Sequence, residues 1–95
     1  MNLKNNTKVC IRHKSEMTPL YIDNIGRYHF TLHDKSDIVF NKQMESLSGK
    51  YCLITNLYKY IGVDNNVYFT FQLIDINSHE TYPYTFTIDM VNIIE

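Results

Sequence analysis

The sequence predicts an all-β protein, a small barrel or sandwich, on three observations. The composition suits strands: Ile, Tyr, Thr, Phe and Val supply 37 of 95 residues, and Ala and Trp are absent. Such β-branched and aromatic side chains fit a pleated, half-buried surface, while the best helix former is missing. Short alternating segments recur between polar turns, the spacing expected of a small closed sheet. The chain also echoes itself. Lys8-Val9-Cys10-Ile11 returns 42 residues later as Lys50-Tyr51-Cys52-Leu53, and Phe40-x-x-x-Met44 returns as Phe86-x-x-x-Met90. A single domain over 1–95 with an internal duplication, 1–45 and 46–95, accounts for that order.

The elements follow in sequence. Val9 and Ile11 alternate with Cys10 and Arg12 in a first strand. Met17 to Ile22 is an edge segment or turn, because Pro19 cannot donate to a ladder. Asn24-Ile25-Gly26 is a turn. Arg27 to His33 alternates, with Tyr28, Phe30 and Leu32 on one face and His29, Thr31 and His33 on the other. Asp34 to Asp37 reads as a hairpin turn. Ile38 to Phe40 is a short strand, and Asn41 caps one helical turn through Leu47. A long strand runs from Lys50 to Ile61, bent or bulged, since its apolar residues do not hold one phase. Gly62 to Asn66 turns the chain into a strand from Val67 to Asn77. Asn77 to Glu80 is a turn, Thr81 to Ile88 alternates as another strand, and Asp89-Met90 is a short turn before a closing strand, Val91 to Ile94.

A formal charge of −1 argues against a general polyanion binder. The start is nonetheless basic: Lys4, Lys8, Arg12 and Lys14 precede the first acid, Glu16. The two cysteines form no Cys-x-x-Cys and read as packed thiols in equivalent strands. A Cys10–Cys52 disulfide would need Cα atoms within about 7 Å. No leader-like segment opens the sequence, and no apolar run approaches the roughly 18 residues of a membrane span. The expectation is a soluble protein of a reducing compartment.

Chemistry is sparse. His29 and His33 stand four apart on one strand face, about 13 Å, too far to share a small metal ion, and are expected to face solvent. Cys10 or Cys52 with a histidine and Asp75 or Asp89 would supply a nucleophile, a base and an orienting group, but no motif gathers them. The three glycines are too scattered for a phosphate loop. No metal site, cofactor or enzymatic activity is expected. Tyrosine carries more: eight in 95 residues exceed what a narrow core holds. Tyr58 and Tyr60 share a strand face beside Lys59, with Tyr68 and Tyr21 opposite the apolar face. Exposed tyrosines favour binding surfaces, although they also pack across strand pairs with the hydroxyl in water.

The run from Met44 to Ile94 adds a resemblance. Met44-x-x-Leu47-x-Gly49-Lys50, a strand, a hairpin and an aromatic strand from Phe86 to Asp89-Met90 resemble the small SH3-like barrel proteins of phage and mobile elements. There the Gly-Lys opens a barrel strand and the Asp-Met lies in the turn before another. The likeness covers about 50 residues; the first half has Phe40 and Met44 but no Gly-Lys before Cys10. It implies an SH3-like barrel with a related strand-rich N-terminal half. The residues themselves read as a non-enzymatic protein-binding module, a monomer or homodimer, and the resemblance suggests an inhibitor or adaptor acting in a bacterial cytoplasm. Its partner would be a host protein, and an inhibitor of a defence protein such as a CRISPR effector is the expected type. Two other classes fit the residues. One is a single-stranded nucleic-acid or nucleotide binder using Lys8, Arg12 and Lys14, which would weaken steeply with salt. The other is a structural phage component that oligomerises through an open sheet edge.

Overall fold

Val9 and Ile11 sit fully buried in β1 (Lys8–Ile11), a strand with a neighbour on each side. It pairs antiparallel on one side with β5 (Tyr51–Ile61) and on the other with β8 (Val91–Ile93). β6 (Val67–Asp75) and β7 (Phe86–Thr87) extend the sheet beyond β5, giving the order β7-β6-β5-β1-β8. A second, three-stranded sheet is built from β2 (Tyr21–Ile22), β3 (Tyr28–His29) and β4 (Val39–Phe40). A single helical turn, α1 (Lys42–Glu45), and 3-10 turns at Lys14–Glu16 and Ile88–Met90 complete the elements. The protein is therefore all-β and barrel-like, as its composition predicts. The computed structural model describes residues 3–30, 38–62 and 65–94. Among the described residues no helix is long and apolar enough to cross a membrane.

Both parts of the chain fill one core. Val9, Ile11, Phe40 and Met44 meet Cys52, Ile54, Phe71, Leu73, Phe86, Met90 and Val91 there. The echoed pairs Phe40 and Phe86, and Met44 and Met90, are thus all interior. Asn41 caps α1 as its position predicts, its Oδ1 accepting from the Met44 amide at 3.0 Å. Gly49-Lys50 immediately precedes β5, and Asp89-Met90 lies in the 3-10 turn before β8. Gly49 is required there: its φ is +86°, and its amide donates to Ile11 O at 2.7 Å.

The long strand β5 is bulged. Its register to β6 runs regularly to Thr55↔Gln72 and resumes at Tyr58↔Thr70, so Asn56 and Leu57 stand against Phe71 alone. Asn56 takes φ +52°, a conformation its short polar side chain tolerates, and its Nδ2 donates to Gln72 Oε1 at 2.6 Å. One extra residue exchanges the faces of everything after it. Cys52 and Ile54 point into the core, while Tyr58 and Tyr60, of the same parity, point out. That is why the apolar residues of this strand hold no single phase.

Several expectations need correction. The Thr81–Ile88 strand shrinks to Phe86–Thr87, with one isolated bridge at Thr81 and a 3-10 turn from Ile88. Pro83 breaks the ladder, and the chain bends so that the Tyr82 hydroxyl reaches Asp75. Cys10 is only half-buried, not a core thiol like Cys52. Cys52 faces Val9 across the β1–β5 pair while Cys10 faces Tyr51, so the thiols lie on opposite faces and both are free. His29 is buried rather than solvent-facing, at 4% exposure. Leu32, His33 and the Asp34–Asp37 turn lie outside the described residues, as do Val63 and Asp64 of the Gly62–Asn66 turn.

Candidate functional site

Beyond the bulge, β7 still pairs with β6 at Thr70, and from Lys59 and Phe69 outward β5 and β6 run on as a two-stranded arm. Tyr60 is the cross-strand partner of Tyr68, and Tyr58 precedes it on the same face. Their rings form a continuous stack, Tyr58 to Tyr60 at 6.1 Å and Tyr60 to Tyr68 at 5.6 Å between centroids, with interplanar angles near 25°. These are offset-stacking distances. Tyr58 is 63% exposed, and Tyr60 and Tyr68 are half-buried. Lys59 belongs to the opposite face, opposite Phe69, and there Ile61 and Val67 face each other with 68% and 49% of their surface in solvent. Both faces of the arm are therefore apolar or aromatic. The alternation Val67-x-Phe69 reads in sequence as core, continuing into Phe71 and Leu73, and only those last two are fully interior. Ile61, Val67 and Phe69 are thus surface candidates hidden inside a core-like pattern.

Tyr21 does not join this ladder. It stacks flat on His29 in the smaller sheet, 4.1 Å between centroids and 11° between planes. Beneath that stack His29 Nε2 meets Asp23 Oδ2 at 2.8 Å. Asp23 also accepts from the Ile25 amide, the Arg27 amide and Arg27 Nε, at 2.7–3.0 Å, and so closes the turn between β2 and β3. The His29 bond above all, then the Arg27 and Ile25 groups, hold the Asp23 carboxyl well below the usual carboxylate range despite the opposing effect of burial. A carboxylate and an imidazole are here joined by turn geometry.

The basic residues of the N-terminal part are turned to structural contacts. Lys8 lies over the Tyr51 ring at 5.6 Å. Arg12 Nε donates to Asn92 Oδ1 at 2.8 Å, and its Nη1 reaches Asp89 O. Lys14 Nζ donates to Gly26 O at 2.8 Å, pairs with Glu45 at 3.5 Å and sits 4.7 Å from the Tyr28 ring centre. The three do not form one phosphate-tracking stripe.

Asp75 and Cys52 are neighbours across β5–β6, and neither is arranged for nucleophilic attack. Asp75 accepts from Tyr82 Oη and from the Asn77 and Ser78 amides. The Tyr82 bond first, then the two amides, hold its carboxyl down to about 2. Burial first, and then Asp75, push the Tyr82 hydroxyl above its ordinary value. Burial likewise pushes the Cys52 thiol up to about 11, with the Asp75 charge adding to it. A thiol so protonated is a poor nucleophile. Among the described residues no three His, Cys, Asp or Glu side chains gather as a metal site. The chain matches no protein-family model, no curated protein and no solved structure.

Proposed function

We propose that this protein is a non-enzymatic protein-binding module whose contact surface is the β5–β6 arm, with Tyr58, Tyr60 and Tyr68 as its anchors. The observation that carries the reading is the stacked tyrosine row on an arm whose opposite face is also apolar. An isolated two-stranded hairpin is marginally stable in water. This arm invests its largest side chains in surface, which suits a partner better than it suits the fold. Pre-stacked tyrosines lose little freedom on binding, and tyrosine is enriched at the energetic centres of interfaces. Lys59 supplies a cation beside the apolar face.

The strand order, the Gly49-Lys50 entry to β5 and the Asp89-Met90 turn before β8 support the SH3-like resemblance. Through it the reading extends to an inhibitor of a bacterial defence protein, with CRISPR effectors the first class to assay. The nucleic-acid reading is weaker, because Lys8, Arg12 and Lys14 each serve a separate local contact and do not line up with the rings, and Lys59 is on the face away from them.

The test is capture of partners from bacterial lysate by tagged protein after nuclease treatment, read by mass spectrometry. The expected outcome is one protein in stoichiometric amount, whose affinity falls on the order of thirtyfold in Tyr60→Ala. Capture that disappears with nuclease would transfer the reading to nucleic acid. Full affinity in both Tyr58→Ala and Tyr60→Ala would remove the arm from the contact.

A further inference from the structure

Segments distant in sequence close one cleft of about 340 Å³, where the Gly26–Arg27 turn faces the start of α1 and Lys14 stands between them. That is within the roughly 300–1,000 Å³ of small-ligand pockets. Lys14, Arg27 and Lys42 border it against one carboxylate, Glu45.

The acceptors nearest Lys14 are already engaged. Glu45 and Gly26 O both take Lys14 Nζ. Asp23, at the start of the turn, takes Arg27 and His29. Asn41 Oδ1 takes the Met44 amide, which leaves its Nδ2 as a donor. Beside the Gln43 amide, which can donate or accept, the cleft offers a ligand mainly donors: the third N–H of Lys14, the terminal guanidinium nitrogens of Arg27, the Lys42 ammonium and Asn41 Nδ2. Two of the cations are also fixed in advance, Lys14 between Gly26, Glu45 and Tyr28, and Arg27 by its 2.7 Å bond to Asp23. Fixed donors lower the ordering cost of binding.

We propose that the cleft between the Gly26–Arg27 turn and Lys42 binds a phosphate group carried by a small ligand of mononucleotide size. A phosphate monoester offers three strong acceptor oxygens and nearly two negative charges, matched by a guanidinium fork and two ammoniums. A bare phosphate leaves part of the cleft empty, and Ile25, 71% exposed at its edge, offers apolar surface to the remainder of the ligand. The site shares no residue with the tyrosine arm and stands independently of the arm's function.

Nuclear magnetic resonance titration of the full chain at constant ionic strength, with inorganic phosphate and with AMP separately, tests it against a chloride control. Saturable shifts at the Lys14, Gly26, Arg27 and Lys42 amides are expected with both probes. Tighter binding of AMP identifies a nucleotide-type ligand, and equal binding identifies free phosphate as sufficient. Lys42 is exposed and forms no ion pair among the described residues. Lys42→Glu should therefore weaken both probes by about tenfold or more with Tm unchanged. No saturable shift up to about 10 mM of either probe, a weaker affinity than such a built site should show, overturns the proposal. Equal shifts with chloride, or binding unchanged in Lys42→Glu, do so as well.

Discussion

Thr87 is 7% exposed, and its Oγ1 has no hydrogen-bond partner among the described residues. A buried hydroxyl without a partner costs about 1–3 kcal/mol. Thr87→Val keeps the shape and removes the polar atom, so it should stabilise the fold by about 1 kcal/mol, or about 4–8 °C in Tm by thermal unfolding. Asp75 works in the other direction. Its carboxyl is lowered from 3.8 to about 2, so the folded state holds the proton less tightly than the unfolded chain. Its stabilisation is complete above about pH 4 and is lost as pH falls towards about 2. Asp23 is lowered by the same sign and extends that acid sensitivity further down. In Tyr82→Phe the largest cause is gone, and acid unfolding followed by circular dichroism should show a shallower loss of stability across that window. An unchanged acid profile would count against the Tyr82–Asp75 bond as its source. At this scale the sequence conveyed capping well, since Asn41 and Met44 are local partners. It misplaced His29, because alternation alone names a face without saying what covers it. Tyr21 and Asp23 arrive from a neighbouring strand and turn it into an interior residue.

The bulge in β5 is the element on which the arm depends. Its existence was legible, because apolar residues change parity between Ile54 and Leu57. Which set would end outside was not, since that follows from pairing with β6. Deleting Asn56 would leave a regular ladder in which Leu57 alone meets Phe71, and Tyr58 and Tyr60 would keep their outward facing opposite Thr70 and Tyr68. The expected result is strand content kept by circular dichroism, with partner capture close to that of the full chain. Capture reduced to the level of Tyr60→Ala would mean that the contact needs the bend of the bulge and not the facing of the tyrosines alone. Thr81 to Ile88 shows the reverse situation. Its alternation is as clean as any in the chain, but Pro83 lacks a donor and Tyr82 is drawn to Asp75, so only Phe86 and Thr87 pair.

For the molecule as a whole, composition and turn spacing carried the fold class, while the strand order needed the structure. β1 lies between strands that begin at Tyr51 and Val91, and no local signal in Lys8–Ile11 names partners at those distances. The contacts of the basic start were not legible for the same reason, since Arg12 and Lys14 meet their partners only when Asn92 and Glu45 arrive. The position of β1 between β5 and β8 also has a consequence during synthesis. It leaves the ribosome early, but its β8 neighbour is made roughly eighty residues later, about 4–16 s at ordinary elongation rates. For that interval an apolar strand keeps one edge bare, the condition that invites pairing with another chain. A chain stopped before Val91 should make that interval permanent and appear in the pellet after centrifugation, while the full sequence stays in the supernatant. Equal partition of the two would show that β5 alone shields β1.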